Sequence, residues 1–566
     1  MALAIPAAAA ASGKVVLVWV PSGTSVEELA AAGLSPGVMS AGLGAVPPEQ
    51  TYLDVGQGNR VFDSLYDEPL PKLNGGRGRW WREVVERAES APAEIVPGLL
   101  TSTLAGAGVP RGSFEVRGAT LGQLPQAASY DLLIAIARPT GNSDAPLPIG
   151  IAGAGFDGNL TSDSTRMDGY VLSTDVAPTI LERFGVAVPS EMSGQAIRSE
   201  GTVDATAIDS LAARMDVISS RRGPVIGINI AIWLGVLLLV GLASRGRAAP
   251  MAVRVTGLAI IYLPLVLLLG AALEPGETAE RLLVGLAAPL LGAVTLAALR
   301  GFRALATASA LTVLAYAVDV ILGSPLTSLS LLGPNPGLGV RFYGIGNELE
   351  ALLAVLVVAG TGAALVGFFG RLSRRAAAAT FVAIGLIAAF VFAAGRFGAD
   401  VGAAIVFPVG AAAAAVAIAG RGRRSALLIV IVAPLLVLAL LALVDLLSGA
   451  NAHLTRSVLD AGGLGDLGDV AQRRLQLSAH SFGRPVLLAF LPVVLALAVF
   501  AYLKRDRLRA WVHDVPAIRA GLVGALAATV IGTLANDSGA LLLEIGAAYL
   551  LVFTGYAWAE NAAGSG

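Results

Sequence analysis

The feature that most limits what this chain can fold into is a series of apolar segments between Pro224 and Trp558. Each has roughly 15 to 23 residues, as a helix needs in order to cross a hydrocarbon core about 30 Å thick. Backbone groups in lipid must hydrogen-bond to one another, so such segments fold as helices. The sequence therefore predicts an all-α polytopic transmembrane domain over residues 223–566. Its spans, about 11 in number, are Pro224–Ala243, Val255–Leu273, Leu282–Leu299, Ala304–Leu322, Leu349–Phe369, Ala376–Ala394, Val401–Gly420, Ser425–Leu447, Val486–Leu503, Ala520–Leu534 and Ala540–Trp558.

The composition agrees with a membrane location. Of the 566 residues 55% are hydrophobic and only 14% are charged, and the mean hydropathy is +0.74, far from the average of soluble proteins. Membrane lipids are therefore expected partners. A net charge of −1 gives no concentrated basic surface for nucleic acid. The absence of cysteine excludes disulfides, thiolate nucleophiles and cysteine-ligated metals, and the strong preference for Arg over Lys is typical of a high-GC bacterial genome.

Basic residues in the connections predict the orientation, because cytoplasmic loops carry an excess of Lys and Arg. One set of connections carries sixteen of them and the alternate set carries seven. The first set is therefore predicted to be cytoplasmic. This places the N-terminal domain outside a bacterial cell membrane and the C-terminus inside, with Arg221 and Arg222 lying against the rule. Residues 1–13 are interpreted as the end of a secretory signal or as a disordered tail.

Residues 14–222 contain no apolar run long enough to span a bilayer, and short strand-like runs alternate there with helical ones. This alternation predicts an α/β domain with a mostly parallel sheet. Ligands of such sheets bind beyond the carboxyl ends of the strands, which here points to the loops Pro21–Ser25 and Arg138–Ser143. The clearest predicted strands are Val15–Val20, Tyr130–Ala137 and Ile149–Ala152.

The segment GYVLSTDVAPTILERFGVAVPSEMSGQAI, Gly169–Ile197, resembles the closing segment of the alkaline phosphatase and sulfatase superfamily. The resemblance implies an alkaline phosphatase-like fold; active members hold two divalent metals through Asp and His, beside a Thr, Ser or modified Cys nucleophile. Pro21 and Ser22 stand where the metal-binding aspartate of the first strand is expected, and no histidine precedes His453. The domain is therefore interpreted as a pseudoenzyme without a cofactor. An alternative is an all-oxygen Mg or Ca site supplied by Asp157, Asp163, Asp168 and Asp175.

The stretch GVRFYGIGNELEALL, Gly339–Leu353, carries polar groups directly into an apolar segment. Ionisable groups at membrane depth are costly and indicate a functional site. With the predicted orientation, similar groups from three connections meet on the outer side. The candidate substrate-binding residues are Arg341, Tyr343, Asn347, Arg396 and Asn536, with the arginines holding phosphate or carboxylate. The candidate acids, bases or cation ligands are Glu348, Glu350, Asp400 and Asp537. The alternative interpretation is that these are solvated residues at the membrane surface.

The external loop 448–485 adds His453, which is a candidate acid or base because histidine titrates near neutral pH. The motifs RFYGIGNE, GRFGAD and NDSG together resemble a group of actinobacterial-type polytopic membrane proteins that carry a degenerate phosphatase-like extracytoplasmic domain. That resemblance implies a cell-envelope location and brings no established activity.

Three functions are compatible with these patterns. The first is binding, translocation or group transfer of a lipid-linked, polymeric or anionic envelope substrate at the outward-facing polar cluster, with a catalytically inactive ectodomain that binds or docks. The second is a metal-dependent hydrolase of phosphate or sulfate esters in the ectodomain. The third is an ion- or proton-coupled transporter, because carboxylates in spans are typical of such proteins. Whether the chain is an enzyme is left open by the sequence.

Overall fold

The structure is a computed structural model, and it describes residues 13–72, 77–124, 129–370, 372–420, 432, 478–479, 481–483 and 485–564. The chain divides into two compact units. The α/β unit comprises Met1–Ile218 together with Asn335–Phe342, and the helical unit comprises Ser219–Pro334 together with Tyr343–Gly566. A short segment that follows the fourth predicted span thus belongs to the α/β unit.

The strands of the α/β unit are β1 Val15–Val20, β2 Ser35–Ser40, β3 Phe114–Gly118, β4 Leu132–Ala137, β5 Leu147–Gly153, β6 Asn159–Thr161, β7 Tyr170–Leu172 and β8 Arg198–Glu200. Six of them form a mixed sheet with the strand order β3-β1-β4-β5-β2-β7, and a separate pair joins β6 to β8. Parallel pairing joins β1 to β3, β1 to β4 and β2 to β7. Strand β5 runs antiparallel to both of its neighbours, so the predicted α/β class is confirmed and the sheet is mixed.

The adjacent strands β1 and β4 are covered on both faces, which explains why both are continuous apolar runs in the sequence. In β1, Val15 and Leu17 pack into one core cluster, whereas Val16 and Val18 pack into a second. This alternation follows from the two-residue period of side chains along a strand. The helices of the unit are α1 Val26–Ala31, α2 Pro48–Gln57, α3 Arg77–Glu89, α4 Leu99–Gly106, α5 Val176–Arg183 and α6 Ala205–Arg222.

Helix α2 buries a carboxyl group. The side chain of Asp54 is 1% exposed, and its Oδ1 accepts hydrogen bonds from Gln50 Nε2 at 2.8 Å and Gln57 Nε2 at 3.1 Å. Burial raises the pKa of Asp54 from 3.8 to about 7, although these hydrogen bonds and the charges of Arg60 and Arg87 oppose the rise. Asp54 is therefore mostly protonated in the folded state at mildly acidic pH.

The stability of the α/β unit is expected to fall between pH 4 and pH 8 because Asp54 binds its proton more tightly when folded than when unfolded. The contribution is complete below the unfolded pKa of 3.8 and is lost as the pH rises through about 7, with a magnitude on the order of 4 kcal/mol. Asp54→Asn should remove this loss, so the variant should be more stable than wild type at pH 8 and similar at pH 4. Pulse proteolysis of the full chain in denaturant measures it, with exposed Asp144→Asn as control. Parallel pH profiles for wild type and Asp54→Asn would contradict the assignment.

Eight helices of the described residues are long and apolar enough to cross a membrane. They are Ala205–Ala243, which contains α6 and α7 Ile228–Ala243, then α8 Ala249–Leu273, α9 Glu277–Ala298, α10 Phe302–Ile321, α11 Asn347–Gly367, α12 Arg374–Ala393, α16 Pro516–Ala535 and α17 Gly539–Gly564. Shorter apolar stretches lie in α13 Ala403–Ala419 and α14 Pro485–Leu503, and α15 Arg505–Trp511 follows. Of the eleven predicted spans, Ser425–Leu447 lies outside the described residues apart from Val432, and the other ten coincide with these helices.

Helix α11 is the most completely buried of the eight, since 89% of the residues in its most apolar 18-residue stretch are buried within the protein. Small residues let α13 and α16 approach closely on one side of it. A Cβ atom at Gly524 in α16 would lie 2.4 Å from the carbonyl oxygen of Gly410 in α13. Close approach through glycine is how helices associate where lipid removes the hydrophobic driving force.

Candidate functional site

Three helices of the helical unit begin at one place. Helix α11 begins at Asn347, α13 begins at Ala403 directly after Gly402, and α17 begins at Gly539 directly after the turn NDS. The backbone N–H groups of a first helical turn have no partner within their helix and give that end a partial positive charge. Polar side chains are therefore favoured exactly where these three helices start.

A chain of hydrogen bonds joins the starts of α11 and α17. Asn536 Nδ2 donates to Glu350 Oε2 at 2.8 Å and to Asn347 Oδ1 at 3.2 Å, and Asn347 Nδ2 donates to Asp537 Oδ1 at 3.3 Å. Exposure increases along this chain, because Glu350 is 0% and Asn536 6% exposed, Asn347 is partly exposed, and Asp537 is exposed. We call Asn347, Glu350, Asp400, Asn536 and Asp537 the acid–amide cluster. It leads from the surface to a fully buried carboxylate.

The start of α13 contributes the second buried acid of this cluster. Asp400 is 3% exposed, and its Oδ1 accepts a hydrogen bond from the N–H of Gly402 at 2.9 Å. On the other side of the same residue, a Cβ atom added at Gly402 would lie 2.5 Å from Glu350 Oε2. Gly402 thus lies beside both buried acids, and a larger residue there would require the end of the Glu350 side chain to move.

Glu348, predicted as a candidate acid on the same side of the membrane, forms an ion pair with Arg222. Arg222 Nη1 lies 3.1 Å from Glu348 Oε1, and Arg222 Nη2 donates to the carbonyl of Gly333 at 2.8 Å. Arg221 pairs with Glu280, which is 0% exposed, at 3.2 Å. The two arginines that lie against the orientation rule are therefore both bound to carboxylates, which lowers the cost of their position.

The predicted anion-binding arginines and Tyr343 have different surroundings. Arg396 is exposed, and its guanidinium carbon lies 5.8 Å from the ring centre of Phe397; within the described part of the chain it forms no ion pair with Asp400. Arg341 belongs to the α/β unit, whereas Tyr343 is partly buried in the helical unit. His453 and almost all of the loop 448–485 lie outside the described residues, so those predictions are untested.

Two contributors to the site, Gly402 and Ser538, were not predicted from the sequence. The signal for Gly402 was its position two residues after Asp400, at the start of a predicted span. The N–H of Ser538 donates to Asn536 Oδ1 at 3.1 Å and fixes the side chain that bridges α11 and α17.

The α/β unit also contains a cleft, at the carboxyl ends of β1, β3 and β4. The two loops that the sequence pointed to, Pro21–Ser25 and Arg138–Ser143, contribute to its lining. Its volume is about 540 Å³, and its polar lining includes Ser22, Tyr52, Thr120, Gln123 and Arg138. Burial raises the pKa of the Tyr52 phenol, and the charge of Arg138 opposes that shift.

The four aspartates considered for an all-oxygen metal site have separate partners. Asp175 is buried and accepts hydrogen bonds from the hydroxyls of Ser162 and Ser164. Exposed Asp163 pairs with Arg198, whereas Asp168 accepts a hydrogen bond from Asn159 and Asp157 accepts one from Ser199. No group of three His, Cys, Asp or Glu side chains that could hold a metal ion occurs among the described residues.

Comparisons of the chain with protein-family models, with curated proteins and with solved structures found no match. The structure itself defines the class of protein: a chain with an α/β unit and, within its described part, eight helices long and apolar enough to cross a membrane.

Proposed function

We propose that this chain is a multi-pass protein of a bacterial cell membrane that binds a lipid-linked envelope substrate at the acid–amide cluster and translocates it or transfers a group. The α/β unit would lie outside the cell and serve as a binding or docking module without catalytic activity, in line with its resemblance to a degenerate alkaline phosphatase-like domain. The observation that carries the proposal is the hydrogen-bonded chain from exposed Asp537 to fully buried Glu350.

The chemistry of the cluster favours a particular part of such a substrate. Carboxylates accept hydrogen bonds, and asparagine side chains both accept and donate them. A head group rich in hydroxyls, such as a sugar, satisfies this set, and its hydroxyls would donate to Glu350 and Asp537. A phosphate would be repelled by the same carboxylates. The anionic portion of the substrate is therefore expected to lie outside the cluster, where exposed Arg396 is available to bind it.

Burial gives the cluster a further property that suits specific recognition. A carboxylate removed from water is stabilised only by partners with good geometry, and the Asn536 amide donates to Glu350 Oε2 at 2.8 Å. Because the Asn536 side chain is itself fixed by the Ser538 N–H at 3.1 Å, this donor is oriented before any substrate binds. Binding of a hydroxyl would therefore carry only a small free-energy cost for reorganisation of the protein.

Glu350→Gln is expected to reduce the amount of lipid-linked sugar that co-purifies with the full chain by about tenfold, since hydrogen bonds to a charged group contribute about 1.5–3 kcal/mol. Mass spectrometry of lipids extracted from the detergent-solubilised protein measures this. Glu277→Gln is the matched control, because Glu277 forms an exposed pair with Arg281 within α9. Equal retention of every lipid by wild type, Glu350→Gln and Glu277→Gln would rule out the proposed site.

The second candidate, an ion- or proton-coupled transporter, is favoured by the graded exposure of the same chain. It predicts that proteoliposomes containing the full chain acidify or take up cations under an imposed gradient, and that Glu350→Gln abolishes the flux.

The ectodomain hydrolase is supported only by the cleft that contains Arg138. It predicts metal-dependent turnover of aryl phosphates or sulfates by the full chain, which Glu350→Gln would leave intact.

A further inference from the structure

The segment Asn335–Phe342 follows the turn after α10 in sequence, yet it belongs to the α/β unit. Three donors of that unit bind three of its carbonyl oxygens. Arg60 Nη2 donates to the carbonyl of Gly339 at 2.8 Å, the Tyr170 hydroxyl donates to that of Pro336 at 2.9 Å, and the N–H of Gly44 donates to that of Leu338 at 2.9 Å. The segment is thus held through its backbone along its length.

The surface of the α/β unit that contacts this segment presents an oriented charged donor and a buried aromatic ring. The guanidinium of Arg60 is fixed by two further hydrogen bonds, to Ser40 Oγ at 3.1 Å and to the carbonyl of Gly42 at 3.2 Å. A charged donor that is already oriented makes a stronger hydrogen bond than a neutral one and loses less freedom on forming it. The ring of Tyr170 is completely buried and lies 5.9 Å from the ring of Phe342.

The fit depends on glycine at the centre of the segment. Gly339 has a φ of +71°, which side-chain-bearing residues rarely adopt, and a Cβ atom there would lie 2.2 Å from the carbonyl oxygen of Gly42. A backbone oxygen cannot move aside as a flexible side chain can, so any larger residue must lift the segment from the surface. Gly339→Ala is therefore a direct means of undocking it.

The next residues of the chain lead into the acid–amide cluster. Tyr343 follows Phe342 directly, the N–H of Gly344 donates to Ser324 Oγ at 2.8 Å, and the N–H of Ile345 donates to the carbonyl of Gly398 at 3.0 Å. Gly398 lies two residues before Asp400, and Asn347 begins α11. Four residues separate the docked segment from the first member of the cluster.

We propose that Asn335–Phe342 is a latch: its docking on the Arg60–Tyr170 surface of the α/β unit holds the backbone of residues 343–350 in the conformation that forms the acid–amide cluster. Undocking the latch loosens Gly344 and Ile345 and with them the start of α11. The α/β unit thereby controls the cluster through the chain itself. The proposal concerns conformation and does not depend on which substrate the cluster binds.

Hydrogen exchange of the full chain in detergent tests the latch. Arg60→Ala and Gly339→Ala should each raise the exchange rate of the amides in 335–342 at least about tenfold, and those of Gly344 and Ile345 by a similar factor. Tyr170→Phe removes only the bond to Pro336 and should give a smaller rise in both stretches. The matched controls are Arg82→Ala, at an exposed arginine, and Gly122→Ala, where an added Cβ meets no atom within 4 Å. A rise confined to 335–342 would overturn the proposal.

A disulfide gives the reciprocal test, because the chain has no native cysteine. A Cβ at Gly337 would lie 3.2 Å from the Cβ of Met215, close to the spacing of about 3.8 Å in disulfides. In the Gly339→Ala background, oxidation of Gly337→Cys/Met215→Cys should restore slow exchange at Gly344 and Ile345, and reduction should reverse it. Formation of the disulfide without restored protection would contradict a latch. Loss of lipid binding in Glu350→Gln has no bearing on either outcome.

Discussion

Asp175→Ala is expected to destabilise the α/β unit by about 3–5 kcal/mol, among the largest effects of any single substitution in this chain. The Asp175 carboxylate is fully buried at the start of α5 and accepts four hydrogen bonds. Its Oδ2 accepts from the Ser162 hydroxyl at 2.6 Å and the Leu172 N–H at 2.9 Å. Its Oδ1 accepts from the Ser164 hydroxyl at 2.6 Å and the Gln195 N–H at 2.9 Å. Alanine leaves all four donors without this acceptor.

The two hydroxyls can rotate towards other acceptors, whereas the two backbone N–H groups cannot. For the same reason Asp175→Asn should also be costly, since either orientation of its amide turns an NH₂ group towards a backbone donor. Denaturant-dependent pulse proteolysis of the full chain gives the free energy of unfolding of the unit. Asp163→Ala is the control, because its ion pair with Arg198 is more than half exposed and contributes about 0–1 kcal/mol. A similar small loss for Asp175→Ala and Asp163→Ala would contradict this role.

Gly524→Ala is expected to separate α13 from α16. It should lower the free energy of unfolding of the helical unit by about 3 kcal/mol, the upper end for overpacking, and the melting temperature with it. The added methyl would lie 2.4 Å from the carbonyl oxygen of Gly410 and 2.7 Å from the Ala414 Cβ. Because the first obstacle is backbone, a whole helix must move. Gly524→Leu should leave little folded protein in the membrane.

Gly235→Ala supplies the opposite case for the same measurement. A Cβ added at Gly235 in α7 meets no atom within 4 Å, so only helix propensity changes, and alanine is favoured over glycine by about 1 kcal/mol. Melting of the detergent-solubilised full chain, followed by size-exclusion chromatography after heating, should show Gly524→Ala below wild type and Gly235→Ala at or above it. Equal melting of the two variants would mean that the α13–α16 contact does not limit stability.

Local patterns in the sequence predicted much of the fold. The run VVLVWV becomes β1, and YDLLIAIA contains β4, because a strand buried on both faces must be apolar at every position. Ten predicted spans coincide with helices for a similar reason, since burial in lipid demands a long apolar run. The antiparallel direction of β5 was not predicted. It depends on how the chain returns to the sheet, and the residues of Leu147–Gly153 are equally suited to either direction.

The alternation of spans led us to expect Asn347, Glu350, Asn536 and Asp537 on one side of the predicted membrane helices, and these four side chains are joined by hydrogen bonds. That they form a functional site stays a prediction. Glu348, only two residues from Glu350, has a different partner. Residues two apart on a helix face different directions, and Glu348 turns to Arg222, 126 positions away in sequence.

The sequence by itself determined which segments are apolar enough to be buried in lipid or in a sheet. It also determined which polar residues lie at the start of a helix. These properties are local, since each is set by a residue and its near neighbours. Only the tertiary structure decided which polar groups meet, that Gly402 lies next to the Glu350 carboxylate, and that Asn335–Phe342 docks on Arg60 and Tyr170. Those pairings join residues far apart in sequence through distances of about 3 Å, and such contacts depend on the packing of the whole unit.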